Sequence, residues 1–276
     1  MKIILSPTKK MITDTDSIAP VGLPELLDKT AEILSWLQGK SKEELKAIWK
    51  CNDKIAGQNF HRLEYMDLYH MLTPAVLSYE GIAFQYMAPS VFEDRQFEYI
   101  QDRLRILSAF YGVLKPMDGV TPYRLEMQAK VGIGDAKNLY EYWGELLYRS
   151  VIDDSRIIIN LASKEYSKCI EKHLTSLDQY ITITFCELSG DKLVTKGTYT
   201  KMARGEMVRF IAENNIEDPM DIRTFDRLGY SFRVDLSSDN EYVFERNLAK
   251  LFRQKMLYVG IFCLIIGIIT IFLDID

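Results

Sequence analysis

The residues best suited to chemistry in this chain are cations, gathered in short stretches beside glycine, serine and aromatic residues. Lys201 and Arg204 stand three apart in a helical pattern running from Lys201 to Asn214, so they share one helix face. Such a face suits phosphate, which needs charge and carries no base code; a solvated surface is the plainer reading. Ser163 and Lys164 follow the apolar run Ile157–Leu161, where a strand should give way to a helix. Free backbone N–H groups at such a point bind anions, and Ser163 is equally placed to be an ordinary helix cap. Lys115 and Arg124 fall on loops after a helical pattern over Glu93–Phe110, with Gly112 suited to a left-handed cap. Arg124 can meet a ligand there or pair with a neighbouring acid such as Glu126. The cluster Tyr140, Tyr142 and Trp143 reads as core.

One further segment bears on nucleic acid. Ser41–Lys50 reads as a helix carrying Lys42, Lys46 and Lys50, followed by a turn at Ile55-Ala56-Gly57 and a new helix. This is the outline of a helix-hairpin-helix, whose turn brings backbone N–H groups to a DNA phosphate without reading bases. The usual hairpin carries two glycines, and here only Gly57 is present. A plain helix–turn–helix packing unit therefore stands beside that reading.

Other chemistries find little support. The four cysteines, at 51, 169, 186 and 263, form no Cys-x-x-Cys pair, which argues against a disulfide framework, a zinc site and peroxidase-like thiol chemistry. His61, His70 and His173 do not make a metal cluster by spacing. No Ser/His/Asp set or carboxylate pair stands at convincing spacing, so no catalytic residue, metal or cofactor is assigned. The net charge of −5 excludes a bulk polycation, so any contact with nucleic acid must come from a local basic surface. The N-terminal apolar run is too short for a signal peptide, and a reduced, cytoplasmic body is expected.

The elements that must position these residues are those of an α+β chain. Lys2–Leu5 and Ile157–Leu161 predict buried strands. Pro24–Leu37 predicts a helix with Pro24 in its first turn, and Ser41 to Glu44 is a capping box. Ala75–Tyr79 predicts a strand, Tyr180–Phe185 alternates as a strand with Lys192–Tyr199 as its partner, and Tyr230–Leu236 with Glu241–Arg246 predicts a closing hairpin. No repeat or linker interrupts residues 1–248, which are expected to form one domain with a mixed sheet. The remainder, 249–276, differs in kind. Met256–Leu273 is 18 residues without a charge, flanked by Lys250, Arg253 and Lys255. As a helix it would span about 27 Å, close to the hydrocarbon core of a bilayer. The basic flank would keep the body on the cytoplasmic side. A C-terminal apolar helix, tethering that body to the inner face of a membrane, is the expectation; a buried helix is the alternative.

Several ordered motifs sharpen the reading. They are Ile4-Leu-Ser-Pro-Thr-Lys9, Leu23-Pro-Glu-Leu-Leu27, Asn52-Asp-Lys-Ile-Ala-Gly57, Leu107-Ser-Ala-Phe-Tyr-Gly-Val-Leu-Lys-Pro-Met-Asp118 and Pro122-Tyr-Arg-Leu-Glu-Met127. Tyr142-Trp-Gly144, Ile159-Asn-Leu-Ala-Ser-Lys-Glu-Tyr166, Ala203-Arg-Gly205, Gly229-Tyr-Ser-Phe232 and Val243-Phe-Glu-Arg246 follow. In these motifs, across roughly residues 1–247, the chain closely resembles the YaaA family of bacterial peroxide-stress proteins. The resemblance implies a single α+β domain with a positively charged cleft, resistance to hydrogen peroxide by limiting damage from free iron, and sequence-independent binding of double-stranded DNA. It places a helix-hairpin-helix around Lys54, Ile55, Ala56, Gly57 and Asn59, and the cleft at Lys9, Arg124, Lys164, Lys201 and Arg204. Where the family often has Arg, this chain has Lys115, which keeps the charge but loses a bidentate phosphate contact. The tail lies outside the resemblance. The function expected is therefore that of a DNA-associated stress protein rather than an enzyme; the alternative is an enzyme acting on a phosphorylated or nucleic-acid substrate through the same cations.

Overall fold

The computed structural model describes residues 1–190 and 192–247. At its centre is strand β1 (Lys2–Leu5), whose four residues are all buried. Its apolar run has no solvent face because the sheet is covered on both faces here, as is usual for a strand with parallel neighbours on both edges. On one side Ile3 pairs with Leu104 of β2 (Leu104–Ser108), which turns back antiparallel into β3 (Gly112–Leu114). On the other, Ile3 pairs with Ile159 of β4 (Ile157–Asn160), itself parallel to β5 (Gln179–Ser189). A short β6 (Lys192–Val194) folds back on β5. The far edge is built by β7 (Tyr230–Phe232) and β8 (Glu241–Arg246), antiparallel to each other, with β8 parallel to β5. The spatial order is β7-β8-β5-β4-β1-β2-β3, with β6 beside β5. This is the expected single α+β domain with a mixed sheet.

The helices cover this sheet. They are α1 (Leu27–Gln38), α2 (Lys42–Trp49), α3 (Asp53–Glu64), α4 (Ile82–Met87), α5 (Asp94–Arg103), α6 (Lys164–Glu171) and α7 (Gly197–Glu213), with shorter helical turns between them. The core runs from Ile3, Ile4 and Leu5 through Ile106, Phe110 and Trp143 to Phe185, Phe225 and Phe244. Some buried charge is paired: the Lys2 ammonium lies 3.2 Å from Asp102 and 3.4 Å from Asp153. Glu187 meets Lys196 and Arg246.

Several expectations need correction. The helical pattern over Glu93–Phe110 splits. Only Asp94–Arg103 is helical, and Leu104–Ser108 is strand, buried throughout because it must seat beside β1. Pairing overrides the fortuitous spacing of Leu104 and Leu107. Gly112 does adopt a left-handed φ of 77°, but at the tight β2–β3 turn rather than as a helix cap. The run at Ala75–Tyr79 is a helical turn, Ala75–Ser78, and only Tyr79 and Glu80 are extended, paired with Lys10 and Met11. The partner of β5 ends at Val194, since Gly197 already begins α7.

The hairpin assigned to Ile55-Ala56-Gly57 is also displaced. Asn52 caps α3, its Oδ1 accepting from the Ile55 N–H at 3.0 Å, so Lys54, Ile55, Ala56 and Gly57 are the helix's own first turns. The reversal between α2 and α3 falls at Lys50, with φ 46°, and Cys51. Asn59 is buried and donates to the Ile55 carbonyl at 2.8 Å, leaving it no outward role. The helix–turn–helix packing unit is what forms here. The apolar stretch 256–273 lies outside the described residues; among those described, no helix is long and apolar enough to cross a membrane.

Candidate functional site: a cleft at the centre of the sheet

The chain leaves β1 toward β2 on one side, yet β4 and its successors fill the other side. Between the carboxyl ends of β1 and β4 the connections diverge, and open sheets of this kind bind ligands in the crevice left there. A cavity of about 450 Å³ opens at this place. Its walls are the loop after β1 (Ser6 to Lys10), the start of α4 (Ile82, Ala83), Leu125 and Glu126, the loop after β4 (Leu161, Ser163) and one face of α7 (Lys201, Arg204).

Each wall is held by local chemistry. Ser163 is the N-cap residue of α6, but its side chain does not cap the helix. The hydroxyl instead accepts from Ser6 Oγ at 3.1 Å, while its own backbone N–H donates to Ser6 Oγ at 2.7 Å. The two post-strand loops are thereby tied across the crevice, and the ordinary-cap reading of Ser163 is overturned. Helix α7 reaches the cavity because Gly205 lets it lie against α4. A Cβ there would stand 2.7 Å from the Ala83 carbonyl carbon and 2.9 Å from the Met87 nitrogen, separations that real Cβ atoms do not show. Thr8, on the loop after β1, donates to the Lys10 carbonyl at 2.8 Å and packs where Gly81 has no side chain.

The charges in the cleft are mixed. Lys9 pairs with Glu126 at 2.7 Å and Lys10 with Glu80 at 2.8 Å. Lys201 and Arg204 form no ion pair among the described residues. The Arg204 Nε is buried and has no hydrogen-bond partner, and burial lowers the pKa of its guanidinium. A buried donor without an acceptor is uncommon in folded proteins and marks a position where a ligand can complete the bonding. Burial raises the Glu165 carboxyl, a backbone N–H from Gln128 opposes the rise, and nearby Glu126 adds to it. Beneath the cleft, burial also pushes the Tyr166 hydroxyl well above the usual phenol range.

Of the expected cleft residues, Lys9, Lys201 and Arg204 line the cavity together. Arg124 and Lys164 do not; each lies one residue from a wall residue, Arg124 with a buried, unbonded Nε and Lys164 exposed. Lys54, Ile55, Ala56, Gly57 and Asn59 lie on α3 and take no part in the cavity. The cleft is also less positive than expected, since Glu80, Glu126 and Glu165 stand among the cations. Sequence reasoning missed the pairing of Glu126 with Glu165, whose numbers differ by 39; no periodicity connects them. The hint lay in their setting, since each follows a small or apolar loop beside a residue already singled out.

Comparison with known proteins now decides the family. The family described as peroxide stress protein YaaA matches residues 1–236. The chain belongs to the YaaA family. It is 80% identical over 249 residues to a UPF0246 protein of Agathobacter rectalis, covering 90% of this chain and all of that protein. A UPF0246 protein of Lachnoclostridium phytofermentans is 52% identical over 244 residues, 88% of this chain and 96% of its own length. Another, from Desulfitobacterium hafniense, is 50% identical over 250 residues, 91% of this chain and its whole length. The YaaA match spans all the strands around the cleft except the last, β8.

Among the described residues no group of three or more His, Cys, Asp and Glu side chains gathers as a metal site. Cys51, Cys169 and Cys186 are free, and burial pushes the Cys169 thiol up to about 12.

Proposed function

We propose that this peroxide-stress protein works by holding phosphate groups of DNA, without reading base sequence, at the central cleft. The observation that carries the reading is the pair Lys201 and Arg204: two cations on one face of α7, both lining the cavity and neither engaged by a carboxylate. Lys164, exposed at the start of α6, and Arg124 each adjoin a wall residue in the chain and would extend the basic surface. Binding of this kind is dominated by counterion release.

The test is salt-dependent binding of the full chain to duplexes of unrelated sequence. Affinity is expected to be alike for all of them and to fall steeply as salt rises. Lys201→Ala and Arg204→Ala should each lower the slope of log K against log salt by about 1. Binding that ignores salt, or absence of binding, overturns it.

A second reading is an enzyme or receptor for a small phosphorylated substrate. The specific observation in its favour is shape: a cavity of about 450 Å³ accommodates one small molecule, not the face of a duplex. The uncharged stretch 256–273 adds a proposal about place, that the body is tethered to the inner face of a membrane. Fractionation of the full chain against one ending at Leu248 checks it; recovery of both in the soluble fraction refutes the tether.

A further inference from the structure

The charged residues of the cleft differ in their partners, since Lys9 and Lys10 are each paired with a glutamate. Arg204 is lowered by burial alone, with no carboxylate acting on it. Glu165, in contrast, feels Glu126 and, among the cations, Lys9. Lys9 is itself paired with Glu126 at 2.7 Å. Lys201 and Arg204, on one face of α7, form no ion pair among the described residues, whereas Glu126 and Glu165 share the single lysine Lys9. The same cavity is lined by the apolar residues Pro7, Ile82, Leu125 and Leu161 and by Tyr166. A bare phosphate ion would satisfy Lys201 and Arg204 and leave Glu126 and Glu165 with no ligand group to accept from. A purely cationic ligand would do the reverse.

We propose that the cleft is a site for a mononucleotide whose phosphoryl group meets Arg204 and Lys201 and whose base presents N–H donors to Glu126 and Glu165. The inference rests on the reading of the cleft as a phosphate site and deepens its small-molecule form by naming the ligand class. Guanine suits the carboxylates best, because its N1–H and 2-amino group stand side by side and one carboxylate can accept from both. The apolar walls supply the faces between which a flat base lies, as small-ligand sites combine apolar lining with a few placed polar groups. The orphaned Arg204 Nε gains the acceptor it lacks. The tie between Ser6 and Ser163 leaves the Ser163 hydroxyl hydrogen free to donate to a phosphoryl oxygen.

The experiment is titration calorimetry on the full chain with guanosine 5′-monophosphate, ribose 5-phosphate and guanosine. The monophosphate is expected to bind at least tenfold more tightly than either fragment. Arg204→Ala should weaken both phosphate-bearing ligands. Glu126→Gln and Glu165→Gln, which keep shape and remove charge, should bring the nucleotide to the level of ribose 5-phosphate while leaving that fragment as tight or tighter. An unchanged thermal midpoint in each variant shows that the fold is intact. Equal binding of nucleotide and ribose 5-phosphate overturns the inference and leaves the phosphate site standing. So does nucleotide selectivity that survives both glutamine substitutions. If neither phosphate-bearing ligand binds, the inference and the small-molecule reading fail together, and duplex binding alone then remains to be measured.

Discussion

Replacing Gly205 by alanine tests whether the seating of α7 on α4 builds the cleft. In an isolated helix the change is favourable by about 1 kcal/mol, because glycine is the poorer helix former. Here the added methyl would meet backbone rather than a movable side chain: the Ala83 carbonyl carbon at 2.7 Å and the Met87 nitrogen at 2.9 Å. Ordinary contact begins at 3.4 Å, and the Ala83 carbonyl oxygen lies nearer still than these two atoms, so α7 and α4 must move apart by about an ångström or more. Forcing a methyl into a packed interior costs roughly 1–3 kcal/mol, and more where backbone must move. Because backbone must move here, the upper end of that range applies, and after the helix-propensity gain a net loss of about 2 kcal/mol or more remains, a fall in melting temperature of roughly 4–8 °C or more for a domain of this size. The shift also moves Arg204, the adjoining residue, within the cavity wall, so ligand affinity should fall together with stability. The control is Gly197→Ala in the same helix, where a Cβ finds nothing within 4 Å. That variant should be as stable as the parent or slightly more so, with unchanged binding. Urea unfolding and thermal melts of the three full-length proteins decide the matter. A Gly205→Ala protein as stable as the Gly197→Ala control would refute the close packing and with it the account of how Lys201 and Arg204 reach the cavity.

Other consequences can be checked in the same way. Gly57→Ala should stabilise the protein by up to about 1 kcal/mol in urea melts, because Gly57 is helical and its Cβ position is open, with the Lys42 ammonium nearest at 3.8 Å; a loss of stability would mean that residue 57 serves a hairpin turn after all. Asn52→Ala should cost about 1 kcal/mol through loss of the cap bond to Ile55, measured likewise. Asp118 is raised to about 6, chiefly by burial, above its ordinary value of 3.8, so the folded protein holds that proton more firmly than the unfolded chain does. Its contribution is present in full below about pH 4 and lost as pH rises through about 6, so Asp118→Asn should gain on the parent by roughly 2–3 kcal/mol between pH 4 and pH 7.5. A constant difference across that range in urea melts would refute the burial of an ionisable Asp118.

Much of this fold is legible in the sequence where one signal acts alone. The capping box at Ser41 and Glu44 forms as expected, with both bonds present, because it depends only on residues three apart. The strands at Lys2–Leu5 and Ile157–Asn160 were readable as unbroken apolar runs, since a strand covered on both faces has no polar alternation. Errors arise where a local pattern and a distant partner compete. Leu104 and Leu107 continue a helical spacing from Phe97 and Ile100, yet hydrogen bonding to β1, about a hundred residues earlier, makes them strand. Asn52 could cap a helix or open a hairpin loop, and only the bond from its Oδ1 to Ile55 separates the two. Ser163 looked like a cap for the same local reason and was drawn away by Ser6, 157 residues distant.

The same contrast explains the charge of the cleft. The family resemblance implies a positively charged cleft and places Lys9, Arg124, Lys164, Lys201 and Arg204 in it. Topology then brings in Glu126 and Glu165 from separate loops, and Lys9 is neutralised by the first of them. What remains is a cavity holding cations and carboxylates together, within a body of net negative charge. An acidic body repels a polyanion at long range, whereas the cations within the cleft act only at short range, beyond which salt screens them. A small phosphorylated ligand with donor groups at its other end meets complementary charge at both ends and little of that repulsion. A duplex must approach the whole acidic surface to reach two cations. The balance between these ligands is therefore a question of size as much as of charge, and comparing a mononucleotide with a long duplex at equal phosphate concentration separates the two. Preference for the short ligand that widens as salt is lowered would identify repulsion by the body as the selecting force.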